Sequence, residues 1–266
     1  MKTEALCIKI FQPTAHYRMP FTYQRRHSYP IPPYSTVLGM IINLLGITNQ
    51  NDSLFTELRK CKLAVSGHFD TKHTEYIWFR RLSKESHKER FGSVTIREKN
   101  GEIEHIGGQS PMRIDVLENM NVTIYLYTEN EDFLNLLHDT FLEPVNRREI
   151  IHLGRAEDWI VFKSIDFVEL IEAKFHKNFN EFFWIPKDIW LPNDINDKYD
   201  FNNIEGLLYN LTVFATIKDY DKTYDRNAMR SFDYLRVKLN DGAIKNVSYL
   251  TDGNLPVFFA RLDKAK

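Results

Sequence analysis

An α+β fold follows from three patterns in the sequence. Short runs of β-branched and aromatic residues alternate with two stretches of helical period, their order is strand, helix, strand, inserted arm, strand, helix, strand, and the last third reads as strands alone. That order is the split βαβ pattern of a ferredoxin-like (RRM-like) sheet with helices on one face. It predicts such a domain over residues 1–175, with an inserted basic β-hairpin arm at about 72–113, and a β-rich C-terminal lobe over 176–266.

Ala5–Ile10 reads as the first strand, ended by Pro13. A loop rich in proline and arginine runs from Phe11 to Tyr34. Ser35 then stands at the N-cap position of a helix whose Leu38, Ile41, Ile42 and Leu45 fall at i, i+3, i+4 and i+7, and which Gly46 stops. Cys61–Phe69 is the second strand, and Glu75–Leu82 with Val94–Glu98 form the two sides of the arm, which ends near Gly107-Gly108. Val122–Tyr127 is the third strand. Phe133, Leu134, Leu136, Leu137 and Phe141 define a second helix broken at Pro144, and Trp159–Leu170 is the next strand, after Gly154. From Phe182 onward, Leu207–Ile217, Phe232–Leu239 and Val257–Leu262 are strands between acidic or Asn-rich turns, with no clean linker before them.

Hydrophobic content of 43 % and aromatic content of 14 % exclude a disordered chain, and 266 residues suffice for a large core. The net charge of −1 hides an asymmetry: residues 1–113 hold 17 Lys and Arg against 10 Asp and Glu, the remainder 18 against 26. Such a split suits a protein with one face on nucleic acid, and it also suits two solvated surfaces of opposite sign. With only Cys7 and Cys61, neither a disulfide framework nor a zinc knuckle is expected, and both are read as buried thiols. The N-terminus lacks the pattern of a signal peptide, and Val37–Ile47 is too short to span a bilayer, so a cytoplasmic protein with no membrane partner is expected.

No Walker loop, His-Glu-x-x-His, Gly-x-Ser-x-Gly or dinucleotide fingerprint occurs, which removes four well-specified enzyme classes. No cofactor and no metal are expected; His68 and His73, five apart along a strand, fall on opposite faces and read as surface histidines.

The positive signal is a gap. No acid occurs from Ala5 to Asn51, and the gap carries His16, Arg18, Arg25, Arg26 and His27 around Tyr29-Pro30-Ile31-Pro32-Pro33-Tyr34. The arginines can fork onto phosphates, while Tyr17, Tyr23 and Tyr29 offer planes to bases. Ser35 and Thr36 open the helix at its positive dipole end, a seat for a phosphate or merely a cap. Gly39 inside the helix costs about 1 kcal/mol relative to Ala, which points to a close approach by RNA or another protein, or to helix-to-sheet packing. Arg80, Arg81 and Lys84, followed by Lys88 and Arg90, make the arm a clamp of the same sign, against the default of solvated charge. The third strand lacks the aromatic signature with which RNA-recognition motifs stack bases, so the binding surface is expected at loop and arm, not on the sheet face.

Three segments in order, Phe11-Gln12-Pro13, then Tyr29 through Gly39 with its Ser35-Thr36, then Leu153-Gly154-Arg155-Ala156-Glu157-Asp158, resemble the CRISPR-associated protein 5 family, with weaker support from Leu255-Pro256-Val257. The resemblance, closer to type I-B than to type I-C, implies a ferredoxin-like fold with a thumb-like arm. It further implies a subunit of a type I surveillance (Cascade) complex that caps the 5′ handle of the guide RNA, beside the backbone-forming subunit and the large subunit that inspects target DNA. In the type I-C branch the protein itself cuts precursor RNA without a metal. The rival expectation is therefore an endoribonuclease with His16, His27 or His105 as base. No Lys–His pairing near the third strand marks such a site, so no catalytic residue is assigned.

Overall fold

The computed structural model of the chain describes residues 3–20, 22, 25–80, 98–99, 102–103, 109–174, 177–192, 200–217, 230–244 and 248–265. In chain order the longer elements are β1 (Thr3–Ala15), α1 (Tyr34–Leu44), α2 (Ser53–Lys60), β2 (Lys62–His68), β3 (Thr71–Arg80), β4 (Gln109–Tyr127), α3 (Glu131–Leu142) and β5 (Val161–Lys174). The last third adds β6 (Phe182–Pro186), β7 (Leu207–Ile217), β8 (Arg230–Asn240), β9 (Ser248–Thr251) and β10 (Phe259–Arg261). The fold is α+β and mostly strand, with three helices of eight or more residues among the described residues.

Side chains along β1 alternate between the faces of the sheet, and both faces are covered. Leu6, Ile8 and Ile10 pack with Val37, Leu38 and Ile41 of α1 and Phe133, Leu137 and Phe141 of α3. Ala5 and Cys7 share a second cluster with Tyr125, Ile189, Tyr249 and Phe258, so the last third closes the face opposite the helices. Hydrogen bonding gives the order β2-β4-β1-β5, each neighbour antiparallel. The sheet continues through β6, β8 and β7 beyond β2 and through β9 beyond β5. Cys7 and Cys61 are buried free thiols, as expected; burial pushes them up to about 11 and about 12.

Four local expectations are corrected. Pro13 does not end the first strand: β1 runs to Ala15, because pairing with β5 stops at Phe11 and the proline sits where one edge has no ladder to break. Ser35 is not the cap of α1, which starts at Tyr34 with Pro33 before it in extended conformation and no side-chain cap; the Pro33 carbonyl accepts the Thr36 and Val37 amides at 2.9 and 3.3 Å. The C-terminus of α1 does stop at Gly46, whose φ of +71° places Ile47 N–H on Ile42 O and Gly46 N–H on Asn43 O, the doubly bonded glycine cap. The return side of the arm is the first half of β4: Thr71–Arg80 pairs with Gln109–Glu118. Finally, Ser53–Lys60 is a helix that periodicity missed, since only Leu58 is buried; Asp52 caps it by accepting the Leu54 amide at 2.9 Å.

β4 serves two structures in succession. Its first half walls the arm and its second half pairs with β2 in the core, with Asn119 at φ +53° between them. The described base of the arm is thus continuous with the central sheet. No described helix is long and apolar enough to cross a membrane.

Candidate nucleic-acid interface

The end of β1 is held by a tight loop. The Asp158 carboxylate, fully buried, accepts the His16 amide at 3.0 Å and the Arg155 amide at 2.9 Å, and pairs with the Arg155 guanidinium at 2.7 Å. Gln12 donates to Leu153 O at 2.8 Å and accepts from the Tyr17 hydroxyl. Gly154 allows the approach: its φ is +110°, and a Cβ there would sit 2.9 Å from His16 O. Burial opposes the Arg155 charge, but Asp158, Glu157 and Glu75 outweigh this and raise its pKa above the ordinary value.

Beside this latch lies a cleft of about 450 Å³ whose wall includes His16, Arg18, Arg26, Thr36, Phe79 and Arg155. A second cleft of about 450 Å³, lined by Ser35, Thr36, Gly39, Asn43, Arg148 and His152, shares Thr36 and Gly154 with it. The two clefts run from the base of the arm across the first turns of α1; α1 itself has no acid in its first turn, while Glu157 lines the first cleft and Glu149 the second. Arg26 lies over the Phe79 ring at 4.7 Å. Burial first, and the neighbouring Arg18 second, pull the Arg26 guanidinium below its ordinary value. Neither Arg18 nor Arg26 has a carboxylate partner among the described residues.

The predicted residues divide. His16, Arg18, Arg26 and Thr36 meet in the first cleft, and Ser35 lines the second. Arg25 and His27 turn to the other side of the arm base and face the buried Asp115 carboxylate, at 3.5 and 2.9 Å, with Lys72 at 4.0 Å. Burial opposes ionisation of Asp115, yet His27, Lys72 and Arg25 prevail and hold it below the usual carboxylate range. Tyr29 offers no plane to a base: it is 7 % exposed and packs edge-on against Trp184 and Tyr209, while Trp184 Nε1 donates to Pro32 O at 2.9 Å. Tyr17 is likewise buried. Both rings shape the loop from within, because the proline run needs an apolar anchor in the last third of the chain. Arg80 ends β3, paired with Gln109, whereas Tyr23, Arg81, Lys84, Lys88, Arg90 and His105 lie outside the described residues.

His68 and His73 are not on one strand. A turn separates them; His68 Nδ1 hydrogen-bonds the Glu181 carboxylate at 2.8 Å, and His73 Nδ1 lies 2.9 Å from the Glu118 carboxylate without hydrogen-bond geometry. Gly39 is exposed with nothing within 4 Å of a Cβ, so helix-to-sheet packing does not account for it. Sequence reasoning missed Asp115, Asp158, Arg155 and Phe79 as parts of the site. Arg155 and Asp158 stood within a segment already singled out; Asp115, in a basic arm, gave no signal.

The fold and cleft define a class: an antiparallel α+β sheet protein with a projecting strand pair and, at its foot, a cleft where Arg18 and Arg26 stand with the Arg155–Glu157 pair. A family model described as CRISPR-associated protein (Cas_Cas5) matches residues 5–246, and the chain belongs to that family. Among solved structures it is similar to a chain of a "CRISPR RNA-guided surveillance complex" (11 % identity, TM-score 0.48, 90 % of each chain covered). It is also similar to a CRISPR protein from Archaeoglobus fulgidus (10 % identity, TM-score 0.41, covering 97 % of this chain and 99 % of that one). A third similarity is to a chain of the type III-B Cmr-beta complex bound to cognate target RNA and AMPPnP (12 % identity, TM-score 0.40, covering 94 % and 86 %). No curated protein sequence matches.

Proposed function

We propose that this protein is the subunit of a type I CRISPR surveillance complex that binds and caps the 5′ handle of the guide RNA. Its sheet is read as ferredoxin-like, a reading supported by the antiparallel order β2-β4-β1-β5 with α1 and α3 on one face. The handle runs through the paired clefts, phosphates on Arg18 and Arg26 and on the acid-free first turn of α1. The arm closes over it. The backbone-forming and large subunits pack beside it in the cytoplasm, and target DNA is met only through them.

The observation that carries this reading is the pair Arg18 and Arg26, two guanidinium groups in one cleft without carboxylate partners among the described residues, beside a helix start without acids. Two neighbouring cations with no carboxylate of their own, the cleft's Glu157 being taken by Arg155, are stabilised by a phosphate chain. Replacing both with Ala lowers the salt slope of single-stranded RNA binding by about 1.4, at about 0.7 per lost phosphate contact. An unchanged slope in filter binding across a salt series refutes the reading.

The protein acts by binding and not by cleavage in this proposal. Of the rival bases, His27 is committed to Asp115 and His105 lies outside the described residues, leaving His16. Incubation with repeat-containing precursor RNA in EDTA leaves the RNA intact; discrete cleavage there makes the protein a processing endoribonuclease.

A further inference from the structure

The base of the arm is a two-stranded ribbon, so its side chains alternate between the cleft and the opposite, outer face. Ile77 and Phe79 line the cleft, and Glu75 reaches Arg155 in its wall. Lys72, Thr74, Tyr76 and Trp78 belong to the outer face, and all four are exposed. Register fixes what stands beside them. Tyr76 pairs with Arg113, which pairs on its other side with Arg25, while Trp78 pairs with Pro111, so these residues occupy adjoining rows of one face.

Nothing within the described chain covers this face. Tyr76 and Trp78 are 60 % and 59 % exposed and meet edge to face at 6.2 Å. Beside them Arg25, His27 and Lys72 converge on Asp115, but that carboxylate is 1 % exposed whereas the three cationic side chains are about half exposed. The anion is hidden and its partners face water. Arg113 is exposed too, and it has no carboxylate partner among the described residues.

Rings and cations together select the occupant. An acidic peptide would use the cations and leave the rings in water, and an apolar partner would bury the rings at the cost of desolvating Arg113. In a duplex the base faces are already stacked on one another. A single strand offers free base faces and phosphates at once.

Resting on the RNA-binding reading, we propose that the outer face of the arm base is a second RNA subsite, separate from the cleft, where unpaired bases stack on Tyr76 and Trp78 and a phosphate meets Arg113. The cations gathered on Asp115 add a positive field that draws the strand to this face.

The test follows the tryptophan fluorescence of the full chain during titration with a single-stranded RNA of about a dozen nucleotides, and with the same RNA annealed to its complement. The difference between wild type and Trp78→Phe isolates the Trp78 signal. The single strand quenches that signal and the duplex does not. At saturating RNA the quenching persists when Arg18 and Arg26 are both replaced by Ala, because that pair lies on the other face of the ribbon. Replacing Tyr76 and Trp78 together with Leu keeps the thermal midpoint and the apolar bulk but weakens RNA binding about tenfold, whereas Trp78→Phe, which keeps a ring, stays close to wild type. Arg113→Ala lowers the salt slope by about 0.7.

RNA retained on filters without Trp78 quenching, an undiminished affinity in the double leucine variant, an unchanged slope in Arg113→Ala, or equal quenching by the duplex overturns the proposal and leaves the cleft reading in place. Loss of the Trp78 signal in the variant lacking Arg18 and Arg26 merges the two faces into one site and overturns the separate subsite. No binding of either RNA form overturns both this proposal and the RNA-binding reading beneath it.

Discussion

The Asp158 carboxylate accepts the backbone amide of His16 at 3.0 Å across a sequence separation of 142 residues. This one contact ties the end of the central strand to the loop that carries Arg155. Asp158 is fully buried and also holds the Arg155 guanidinium, so removing it leaves the His16 and Arg155 amides without their acceptor and Arg155 with only the longer contacts to Glu75 and Glu157. Asp158→Ala costs about 3 kcal/mol in urea unfolding. A loss below about 1 kcal/mol reduces the latch to the worth of a surface ion pair.

Gly154 tests the same latch without touching a charge. An alanine at φ +110° is strained, and its Cβ meets the His16 carbonyl, so Gly154→Ala lowers stability by about 1–3 kcal/mol. Calorimetry showing an unchanged midpoint contradicts this geometry.

At Gly39 stability and binding separate. Alanine there meets open space and improves helix propensity, so Gly39→Ala raises stability by about 1 kcal/mol. Gly39→Glu is folded as well, but it sets a carboxylate in the phosphate path and weakens RNA binding most at low salt. Equal RNA affinity for the two variants at low salt removes α1 from the interface.

Adjacent arginines behave differently. Arg26→Ala lowers the salt slope of RNA binding by about 0.7, whereas Arg25→Ala leaves most of it, because Arg25 is shared with Asp115. Equal slopes in the two single variants contradict the division of the loop between two faces.

Acid should act through His16. Its folded pKa is below the ordinary 6.5, so the unfolded ring binds a proton that the folded ring resists, and stability falls as pH drops below about 6.5. At lower pH Asp115 adds to the loss: its folded pKa is depressed, so its contribution is present above 3.8 and disappears as pH falls through the folded value. Urea midpoints between pH 7 and pH 5 decline less in His16→Asn than in the wild type; parallel declines assign the acid limb to other groups.

Much of this was legible locally. The apolar alternation of β1, the period of α1 and α3, and the glycine that stops α1 are written in neighbouring residues, because propensity and burial act over a few positions. The acid-free stretch supplies His16, Arg18, Arg26 and Thr36 to one cleft. The short α2 was not legible, since one buried leucine carries no period, and the arm's return strand was hidden by the weaker signal of Gln109–Glu118 beside the Val94–Glu98 run.

From its own pattern the chain determined an α+β fold, its family motifs and a basic first loop. Only the tertiary structure decided which of those side chains share a cleft. Arg25 and Arg26 lie opposite Arg113 and Ile114 in a parallel pairing, and alternation along an extended segment sends one to buried Asp115 and the next to Arg18 and Phe79. A one-residue slip would exchange them, and the partner that prevents it lies almost ninety residues away.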